Sequence, residues 1–431
     1  MREKKADLKA TQESSANGTE TQNSGTLQIS VTSSVAYIPI EGATVIISYT
    51  GDPENPIMTL TTDSSGETEI VNLPTPPLSY SLDPESLIQP YAEYNIMVTA
   101  DGYEPVYVTG SEMFTNELSL QPIRMNPVEM EAGEEEKRVY IPVHTLFGDY
   151  PPKIPEDEIK PMAETGEIVL SRVVIPEYII VHDGVPSDSS APNYWVRYKD
   201  YIKNVASCEI YSTWPEATLY ANILVIMSFT LNRVYTEWYR NQGYNFTITS
   251  STAYDQKWVY GRNTFENIDF LVDSVFANFL SRPGVRQPIF TSYCDGQRVT
   301  CSGLSQWGSK YLGDQGYSAI EIIRYYYGND MYINTADVIS GVPSSWPGYA
   351  LTIGSSGEKV LQLQNQLNRI ARNYPAIPVI AADGIYGPAT AEAVRTFQRI
   401  FRLPQTGVTD YATWYEISDI YVGVSRIAEP G

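Results

Sequence analysis

The residue whose type and position best suit catalysis is Glu209, a carboxylate on an apolar helix face. It lies in the segment V-A-S-C-E-I-Y-S-T-W-P, and Ile202, Val205 and Glu209 recur at the spacing of one face of a helix. A helix through them holds the carboxylate against hydrocarbon, which disfavours its charged form and leaves a group able to donate a proton near neutral pH. The same spacing fits a helix-end glutamate that turns out to solvent. The pattern alone therefore predicts either an acid catalyst or a solvated side chain.

The cysteines are the other residues with chemical potential. Three cysteines are an odd number, so a disulfide framework does not hold the chain together. Cys294 and Cys301 are close enough to form a local bridge, to stay reduced or to share a metal, while Cys208 is left over. Both histidines, His144 and His182, are far from this pair in sequence, so a zinc site lacks identifiable further ligands. We expect no cofactor and favour a reduced or bridged pair over zinc.

The length and charge of the chain limit the classes of function. Its 431 residues suit about three domains, and a hydrophobic content of 42% is enough for packed cores. The 51 acidic residues exceed the 29 basic ones, and the net charge of −22 repels phosphate backbones and anionic lipid surfaces. Nucleic acid and membrane partners are therefore not expected. The apolar run 219–231 is too short to span a bilayer and predicts a buried core helix, and the first residues lack the apolar segment of a secretory signal.

The elements that would position a site begin with a β-rich region. Residues 1–25 are mostly polar with little to bury, and we predict that they are disordered. In residues 26–127, short alternating patterns such as Leu27, Ile29 and Val31 are separated by Gly, Pro and Asp turns, which is typical of a β-sandwich. This region carries no nucleophile and no ligand cluster. We therefore expect a structural or inhibitory role for it.

Residues 128–167 have the composition of a linker followed by an extended arm. Residues 130–138 are charged, contain a glycine and lack hydrophobic periodicity, which indicates an exposed segment open to a protease. Residues 148–162 are proline-rich, which favours an extended chain that wraps a neighbouring surface. We predict that an activating cleavage falls within 128–138.

Residues 168–345 combine helical and strand patterns, which predicts a mixed α+β domain. One helix ends at Glu209, and the T-W-P-E sequence at 213–216 predicts a capping box at the start of a long helix. A strand-rich stretch is expected over 246–260, and a further helix over 267–280.

Residues 350–425 carry a helical pattern of their own. Val360, Leu363, Leu367 and Ile370 form one amphipathic face, and a second helix follows the tight D-G-I-Y-G turn. The sequences Q-N-Q-L-N, D-G-I-Y-G-P-A-T, F-Q and T-G-V-T-D-Y-A-T-W are similar to the peptidoglycan-binding three-helix domain found on many wall hydrolases. The alternative is an unrelated small helical bundle.

Motifs of the central region occur in the order found in the stage II sporulation protein D family. They are Y-I-K through Glu209 to W-P, then D-Q with Y-G, then G-L-S-Q-W-G, then Y-Y-G. On these motifs, residues from about 170 to 335 resemble that family, whose members are lytic transglycosylases that cut peptidoglycan glycan strands. Glu209 falls on the position of their catalytic glutamate. The chain departs from the family at Met227 and Thr300, where members often have a basic residue and a histidine.

This resemblance implies a substrate site around Glu209. Glu209 would donate and later remove a proton, and positive charge at the anomeric carbon would be stabilised by the N-acetyl group of the substrate or by Ser305 or Gln306. Stacking on sugar faces is expected from aromatic side chains at Tyr211, Trp214, Tyr293 and Trp307. The two tryptophans are equally well explained as core residues, since large aromatics are usually buried.

The order of the three parts resembles the clostridial spore cortex-lytic enzymes over nearly the whole chain. Patterns such as G-A-T-V-I-I and Y-N-I-M-V-T-A-D-G-Y resemble a carboxypeptidase regulatory-like, transthyretin-type sandwich. In that enzyme family this sandwich is a pro-region that a subtilisin-like protease removes. The resemblance implies a lytic transglycosylase zymogen that acts on cortex peptidoglycan during germination and resides in the spore cortex or at the coat-cortex boundary. Two other classes stay open, a non-catalytic wall-binding or amidase-stimulating protein and a hydrolase that releases reducing sugar.

Overall fold

The computed structural model describes residues 23–35, 37–128, 137–160, 170, 172–336, 338–340 and 346–425. Nearly all of the predicted disordered segment and most of the predicted cleavage segment lie outside the described residues. The remainder forms a β-sandwich, a mixed α+β region and a C-terminal group of helices.

The N-terminal part consists of two β-sheets that face each other across one core. β1 alternates half-buried and buried residues along its whole length, as the period of two in its sequence predicts. Leu27, Ile29 and Val31 are fully buried in the core between the sheets. The elements up to residue 128 are β1 (Ser24–Ser33), β2 (Thr44–Tyr49), β3 (Asp52–Thr61), β4 (Val71–Pro74), α1 (Ser79–Leu82), β5 (Ala92–Thr99), β6 (Val106–Met113) and β7 (Leu118–Met125).

Strands from later in the chain complete both sheets of the sandwich. One sheet has the order β3-β2-β5-β6-β8, and β8 (Lys137–Tyr140) runs parallel to β6. The other has the order β13-β7-β1-β4, in which β13 (Thr264–Phe265) comes from the central region and runs antiparallel to β7. The sandwich therefore shares backbone hydrogen bonds with segments that the sequence pattern assigns to other parts of the chain.

The central region is built around one long apolar helix. Its helices are α2 (Tyr198–Glu209), α3 (Glu216–Tyr235), α4 (Glu266–Val275), α5 (Gln306–Asp314) and α6 (Ala319–Tyr327). α3 packs against α2, α4, α5 and α6, and most of its residues are buried. Length and composition alone would allow α3 to cross a membrane, but a mostly buried helix of this kind is also the core helix of a protein interior, as predicted.

Short strands surround these helices. Their bounds are β9 (Val174–Ile175), β10 (Tyr178–His182), β11 (Asn193–Arg197), β12 (Ile248–Thr249), β14 (Asn278–Ser281), β15 (Tyr293–Cys294), β16 (Leu304–Ser305), β17 (Tyr332–Thr335) and β18 (Val338–Ile339). β10 lies between β11 and β12, while β14 pairs with β17, β15 with β16 and β9 with β18.

Several local predictions for the central region are wrong. Pro215 is the N-cap of α3 and no side chain caps the helix, because the Thr213 hydroxyl donates instead to Ser81 Oγ of the sandwich, 2.8 Å away. The stretch 246–260 contains only the two-residue strand β12, and its remaining residues form loops fixed by side-chain hydrogen bonds. The helix predicted over 267–280 ends at Val275, since the chain turns there and pairs with β17.

The C-terminal part is a small bundle whose helices pack on a shared turn. Its helices are α7 (Glu358–Ile370), α8 (Pro388–Ile400) and α9 (Tyr411–Ser425), and α7 packs against both of the others. Gln364 of α7 donates to the Ile385 carbonyl at 2.9 Å and accepts from the Gly384 N–H at 2.8 Å. Gly384 has φ of +72°, a conformation that favours glycine, which explains the D-G sequence of the turn.

Candidate active site

Glu209 is the last residue of α2, where the helix gives way to extended chain at Ile210. Ile202 and Val205 on the same helix are fully buried, and Glu209 itself is only 4% exposed. The apolar face predicted from the spacing therefore does bury the carboxylate. The solvated alternative does not apply to this side chain.

The Glu209 carboxylate is held by hydrogen-bond donors from three separate segments. Its Oε1 accepts from the backbone N–H of Lys257 at 2.9 Å and from the Tyr293 hydroxyl at 3.3 Å. Gln306 Nε2 donates to the main-chain carbonyl of Glu209 at 2.9 Å and lies 3.4 Å from Oε2. These donors fix the rotamer of Glu209 and satisfy a group that would otherwise be costly to bury.

The donor at Lys257 is positioned by a buried polar network under the loop that carries it. Asp255 accepts from Arg233 at 2.7 Å and from the Tyr239 hydroxyl at 2.6 Å. Gln256 accepts from the Thr230 hydroxyl at 2.8 Å. Asp255, Gln256 and Arg233 are all essentially inaccessible to solvent. The D-Q motif thus acts as scaffold for the loop rather than as a group that meets substrate.

A cleft of about 260 Å³ opens beside Glu209. Its walls come from the loop around Tyr293, from Gln306 and from a segment of the proline-rich arm, residues 148–153. Glu209 is the only buried carboxylate among its described lining residues. The lining includes no residue from 23–128, so the arm and not the sandwich covers the opening.

Lys153 brings a positive charge from the arm into this cleft. Its Nζ lies 4.5 Å from the centre of the Tyr293 ring and donates to the Asp255 carbonyl. Burial lowers the pKa of Lys153, while the carboxylates of Glu209 and Asp255 oppose that shift. The lysine therefore sits in the electrostatic field of the candidate acid.

The arm is tied to the central region beyond the cleft as well. The Ile154 N–H donates to the Ala253 carbonyl at 2.7 Å. Arg233 contacts both carboxylate oxygens of Glu156, at 2.6 and 2.8 Å. Such bidentate pairs give both strength and a fixed orientation. The extended segment is consequently held in one place across the mouth of the cleft.

The loop between β15 and β16 forms the opposite rim. A disulfide joins Cys294 to Cys301 at its base, and Asp295 accepts from the Val299 N–H at 2.9 Å. Arg298 in this loop donates to the carbonyls of Leu146 and of Gly148. These hydrogen bonds attach the start of the arm to this rim. Within the described ranges no group of three or more His, Cys, Asp or Glu side chains could hold a metal ion.

The structure separates the predicted site residues into two groups. Tyr293 and Gln306 line the cleft and contact Glu209 directly. Ser305 does not line the cleft, because its Oγ accepts from the Gly308 N–H at 2.9 Å as the N-cap of α5. Three aromatics, Tyr211, Trp214 and Trp307, pack on one another with ring centres 4.9 to 5.9 Å apart, and each is at most 7% exposed.

That aromatic group is mainly core between the sandwich and the central region. Trp214 Nε1 donates to the Ser81 carbonyl of α1 at 3.0 Å, which commits its polar atom to the interface. Tyr211 and Trp307 also line a depression of about 190 Å³ bounded by the loop 83–90 of the sandwich. The predicted stacking role thus fails for Trp214, since it lines neither the cleft nor this depression.

Sequence reasoning missed Lys257, Lys153 and Arg298. Lys257 acts through its backbone N–H, which no side-chain pattern reveals. Lys153 is a lone basic residue within the proline-rich run, and Arg298 follows Asp295 inside the cysteine-bounded loop. For Lys153 and Arg298, the available signal was a positive charge in segments otherwise expected to be extended or looped.

Comparison with known proteins finds one family model at the C-terminal end of the chain. Residues 356–417 match the family model described as "Putative peptidoglycan binding domain". The zinc D-Ala-D-Ala carboxypeptidase of Streptomyces albus G is 43% identical over 74 residues, which is 17% of this chain and 27% of that relative. The solved N-terminal domain of SleB is 28% identical and covers 18% of this chain and 99% of its own, with a TM-score of 0.16.

A further solved structure is the minor pilin GBS52 of Streptococcus agalactiae, which is 15% identical over 26% of this chain and 49% of its own, with a TM-score of 0.18. The chain spans about a quarter of the length of the curated relative it matches. The prediction of a C-terminal peptidoglycan-binding domain is confirmed by the family model. The chain is therefore a multidomain mixed α/β protein with a C-terminal helical peptidoglycan-binding domain.

Proposed function

We propose that the chain is the zymogen of a lytic transglycosylase that cleaves the glycan strands of spore cortex peptidoglycan during germination. The observation that carries this proposal is the single buried carboxylate of Glu209 at a cleft, held by Tyr293 and the Lys257 N–H, in a chain with a peptidoglycan-binding domain. Cleavage of a glycosidic bond by a single general acid needs a carboxyl group that is held in place beside a cleft.

The reaction needs one residue in two successive roles. Glu209 as carboxylic acid protonates the glycosidic oxygen as the bond to C1 breaks. Glu209 as carboxylate then takes the proton from the C6 hydroxyl of the muramic acid, whose oxygen closes on C1 to form the 1,6-anhydro ring. Because no water attacks, no second carboxylate is required. The nearby Asp295 carboxylate instead accepts hydrogen bonds from backbone N–H groups of its own loop. Gln306 is placed to keep Glu209 aligned through both steps.

Biological details of the proposal come from resemblance. The motif order around Glu209 resembles the stage II sporulation protein D family, and the three-part order resembles the clostridial spore cortex-lytic enzyme SleC. A subtilisin-like protease as the activating partner and residence in the spore cortex or at the coat-cortex boundary follow from that resemblance alone. The transthyretin-type assignment of the sandwich has the same basis.

The zymogen part of the proposal is supported by the arm. Residues 148–153 line the cleft and are fastened on both sides, by Arg298 before Tyr150 and by the Glu156–Arg233 pair after it. A glycan strand that reached Glu209 would have to displace this segment. Cleavage within 128–138 would cut the chain upstream of the arm, so activation also requires the arm to leave.

Replacement of Glu209 by glutamine tests the chemistry. Glutamine keeps the size of the side chain and can still accept from Lys257, but it cannot donate a carboxylic proton, so we expect glycan cleavage to fall by about two or more powers of ten. Glu392→Gln, at an exposed site on α8, is the matched control and should retain activity. The measurement is mass spectrometry of cortex glycan digested with the activated protein.

The products distinguish the alternatives. Anhydro-muramic ends that vanish in Glu209→Gln support the transglycosylase. Reducing ends would make the protein a hydrolase, and no new ends with either parent or variant would favour a wall-binding or amidase-stimulating role. Full activity in a folded Glu209→Gln protein would place the chemistry elsewhere.

A further inference from the structure

A disulfide closes the loop whose two ends hold the candidate acid. Tyr293 is the first residue of β15 and donates to Glu209 Oε1 at 3.3 Å. Gln306 directly follows β16 and donates to the main-chain carbonyl of Glu209 at 2.9 Å. The bridge lies between these two donors in sequence, from Cys294, the neighbour of Tyr293, to Cys301. The two side chains that donate to Glu209 therefore sit at the ends of one bridged loop.

The pairing of β15 with β16 is short. The strands run parallel over two residues each, and residues 295–303, which we call the rim loop, connect them. Parallel strands are usually joined by a crossover of a dozen or more residues, so the rim loop has to fold back sharply. Backbone hydrogen bonds of 3.1 Å from Leu304 to Ser292 and from Trp307 to Asp295 tie its flanks. The disulfide is the one covalent link across this pairing.

The bridge is open to small thiols from solvent. Cys301 is exposed, and half-buried Cys294 lines the cleft beside Glu209. Exchange requires that a thiolate attacks one sulfur atom of the bridge directly, so access to the sulfur governs the reaction. The remaining cysteine does not compete, because Cys208 is 1% exposed and burial raises the pKa of its thiol. Thiol–disulfide exchange is therefore directed to the rim of the cleft.

The proline-rich arm has anchors that do not depend on the bridge. Arg298 of the rim loop donates to two carbonyls at the start of the arm. The bidentate pair of Glu156 with Arg233, at 2.6 and 2.8 Å, and the Ile154 N–H fasten the arm to other segments. Opening of the bridge should consequently change the alignment of Glu209 more than access to the cleft.

We propose that the Cys294–Cys301 bridge is a redox switch of the candidate active site. With the bridge closed, Tyr293 and Gln306 hold Glu209 in one orientation. A dithiol reductant supplies two electrons and two protons, so the S–S bond breaks, two cysteine thiols form and the reductant becomes a disulfide. The rim loop then gains freedom, the donors are aligned for less of the time, and turnover falls until the bridge forms again. The reaction affected rests on the proposed function, whereas the link between the bridge and the donors rests on their contacts.

Reduction of the activated protein by dithiothreitol tests the switch, with soluble glycan oligomers as substrate. We expect kcat to fall about fivefold or more with KM little changed, and to recover on reoxidation. The double variant Cys294→Ser, Cys301→Ser should match the reduced parent and ignore dithiothreitol. Cys208→Ala keeps the bridge and is the matched control, which should respond to dithiothreitol as the parent does. Hydrogen exchange of the full chain is the second readout, and reduction should speed exchange in 293–306 but not in 356–417.

The outcomes separate the switch from the proposed function. Equal kcat in the oxidised and reduced parent would overturn the switch, and a lower Tm without a change in kcat would leave the bridge a structural role only. Equal exchange in 293–306 would overturn it whatever the activity, because the switch requires that the rim loop loosens. If the protein cleaves no glycan in either state, the proposed function fails, yet faster exchange on reduction would still support the link between the bridge and the donors to Glu209.

Discussion

The hydroxyl of Tyr293 donates to Glu209 from a side chain that is only 1% exposed. Its ring also supports the Lys153 ammonium, so the tyrosine contacts both the candidate acid and the nearest cation. A residue enclosed in this way has little surface left for a sugar. We therefore predict that Tyr293 positions Glu209, in place of the stacking on substrate that its aromatic character predicts.

Tyr293→Phe separates positioning from substrate binding. The change removes one hydrogen bond to a carboxylate, which is worth about 1.5–3 kcal/mol, and leaves the ring and its packing in place. We expect kcat on soluble glycan oligomers to fall about tenfold or more with KM little changed. A raised KM with unchanged kcat would instead show that the hydroxyl binds sugar. Tyr325→Phe, at an exposed position on α6, is the control.

For single residues, the sequence predicts whether a side chain is buried better than it predicts which partner its polar atoms contact. The i, i+3, i+7 spacing of Ile202, Val205 and Glu209 correctly places the carboxylate on the buried face of α2. Ser305 and Trp214 are of residue types that suit substrate contact, yet their polar atoms have other partners. Ser305 Oγ caps a helix, and Trp214 Nε1 donates to the sandwich. Those partners lie in tertiary structure, which spacing along one element does not encode.

Among the elements, the arm is the one whose position most affects the site. Tyr150 and Lys153 both line the cleft, while Ile154, the next residue, is 46% exposed. The paired replacements Tyr150→Ala and Lys153→Ala remove side chains that fill the mouth without touching the Glu156–Arg233 anchor. If the arm blocks the cleft, the uncleaved double variant should cut cortex glycan severalfold faster than the uncleaved parent.

Release of anhydro-muramic ends by uncleaved protein is the measurement for the arm. Ile154→Ala alters the same segment outside the cleft and should leave the rate of the uncleaved protein unchanged. A double variant that becomes less active, even after cleavage, would mean that Lys153 assists the reaction and that the arm completes the site.

Element patterns were most reliable where one helix buries one face. The amphipathic spacing of Val360, Leu363 and Leu367 predicts α7 correctly, because the face they form packs within the same small bundle. Prediction failed over 246–260, where aromatic and β-branched residues suggest strands. In this stretch the side chains of Asp255 and Asn204 accept hydrogen bonds from backbone N–H groups. Those groups are therefore satisfied in a loop and do not pair with a neighbouring strand.

On the scale of the whole molecule, the sandwich and the central region share a core and buried charges. Phe114 of the sandwich lies 5.3 Å from Phe265 of β13, centre to centre, within the same apolar cluster as α3. Glu112 pairs with Arg262 at 2.7 Å, with both side chains 1% exposed. Loss of either partner leaves a buried charge uncompensated, so the interface resembles a protein interior more than a removable cap.

Charge at this interface makes stability depend on pH. Burial raises the pKa of Glu117 to about 7, and Glu266 on α4 adds like-charge repulsion. A carboxyl whose folded pKa is raised contributes stability fully below its unfolded value of 4.5, and that contribution is lost as pH rises through about 7. We expect Tm to fall over this window, and Glu117→Gln to melt higher than the parent at about pH 8 but equally at about pH 4.5. If the curves of Tm against pH were parallel for the two proteins, Glu117 would be excluded as a source of the pH dependence of stability.

Because the sandwich and the central region share a core, cleavage within 129–136 should leave the two pieces of the chain associated. β8 stays paired to β6 and β13 to β7 after such a cut, and Arg402 of the C-terminal domain still contacts Glu67 of the sandwich at 2.9 Å. We expect the cut protein to elute from a sizing column as one species of unchanged size. Glu112→Ala should weaken this association, since an unpaired buried Arg262 costs about 3–5 kcal/mol. Spontaneous separation of the cut parent would instead make the sandwich a dissociable pro-region, and displacement of the arm would then follow from its departure.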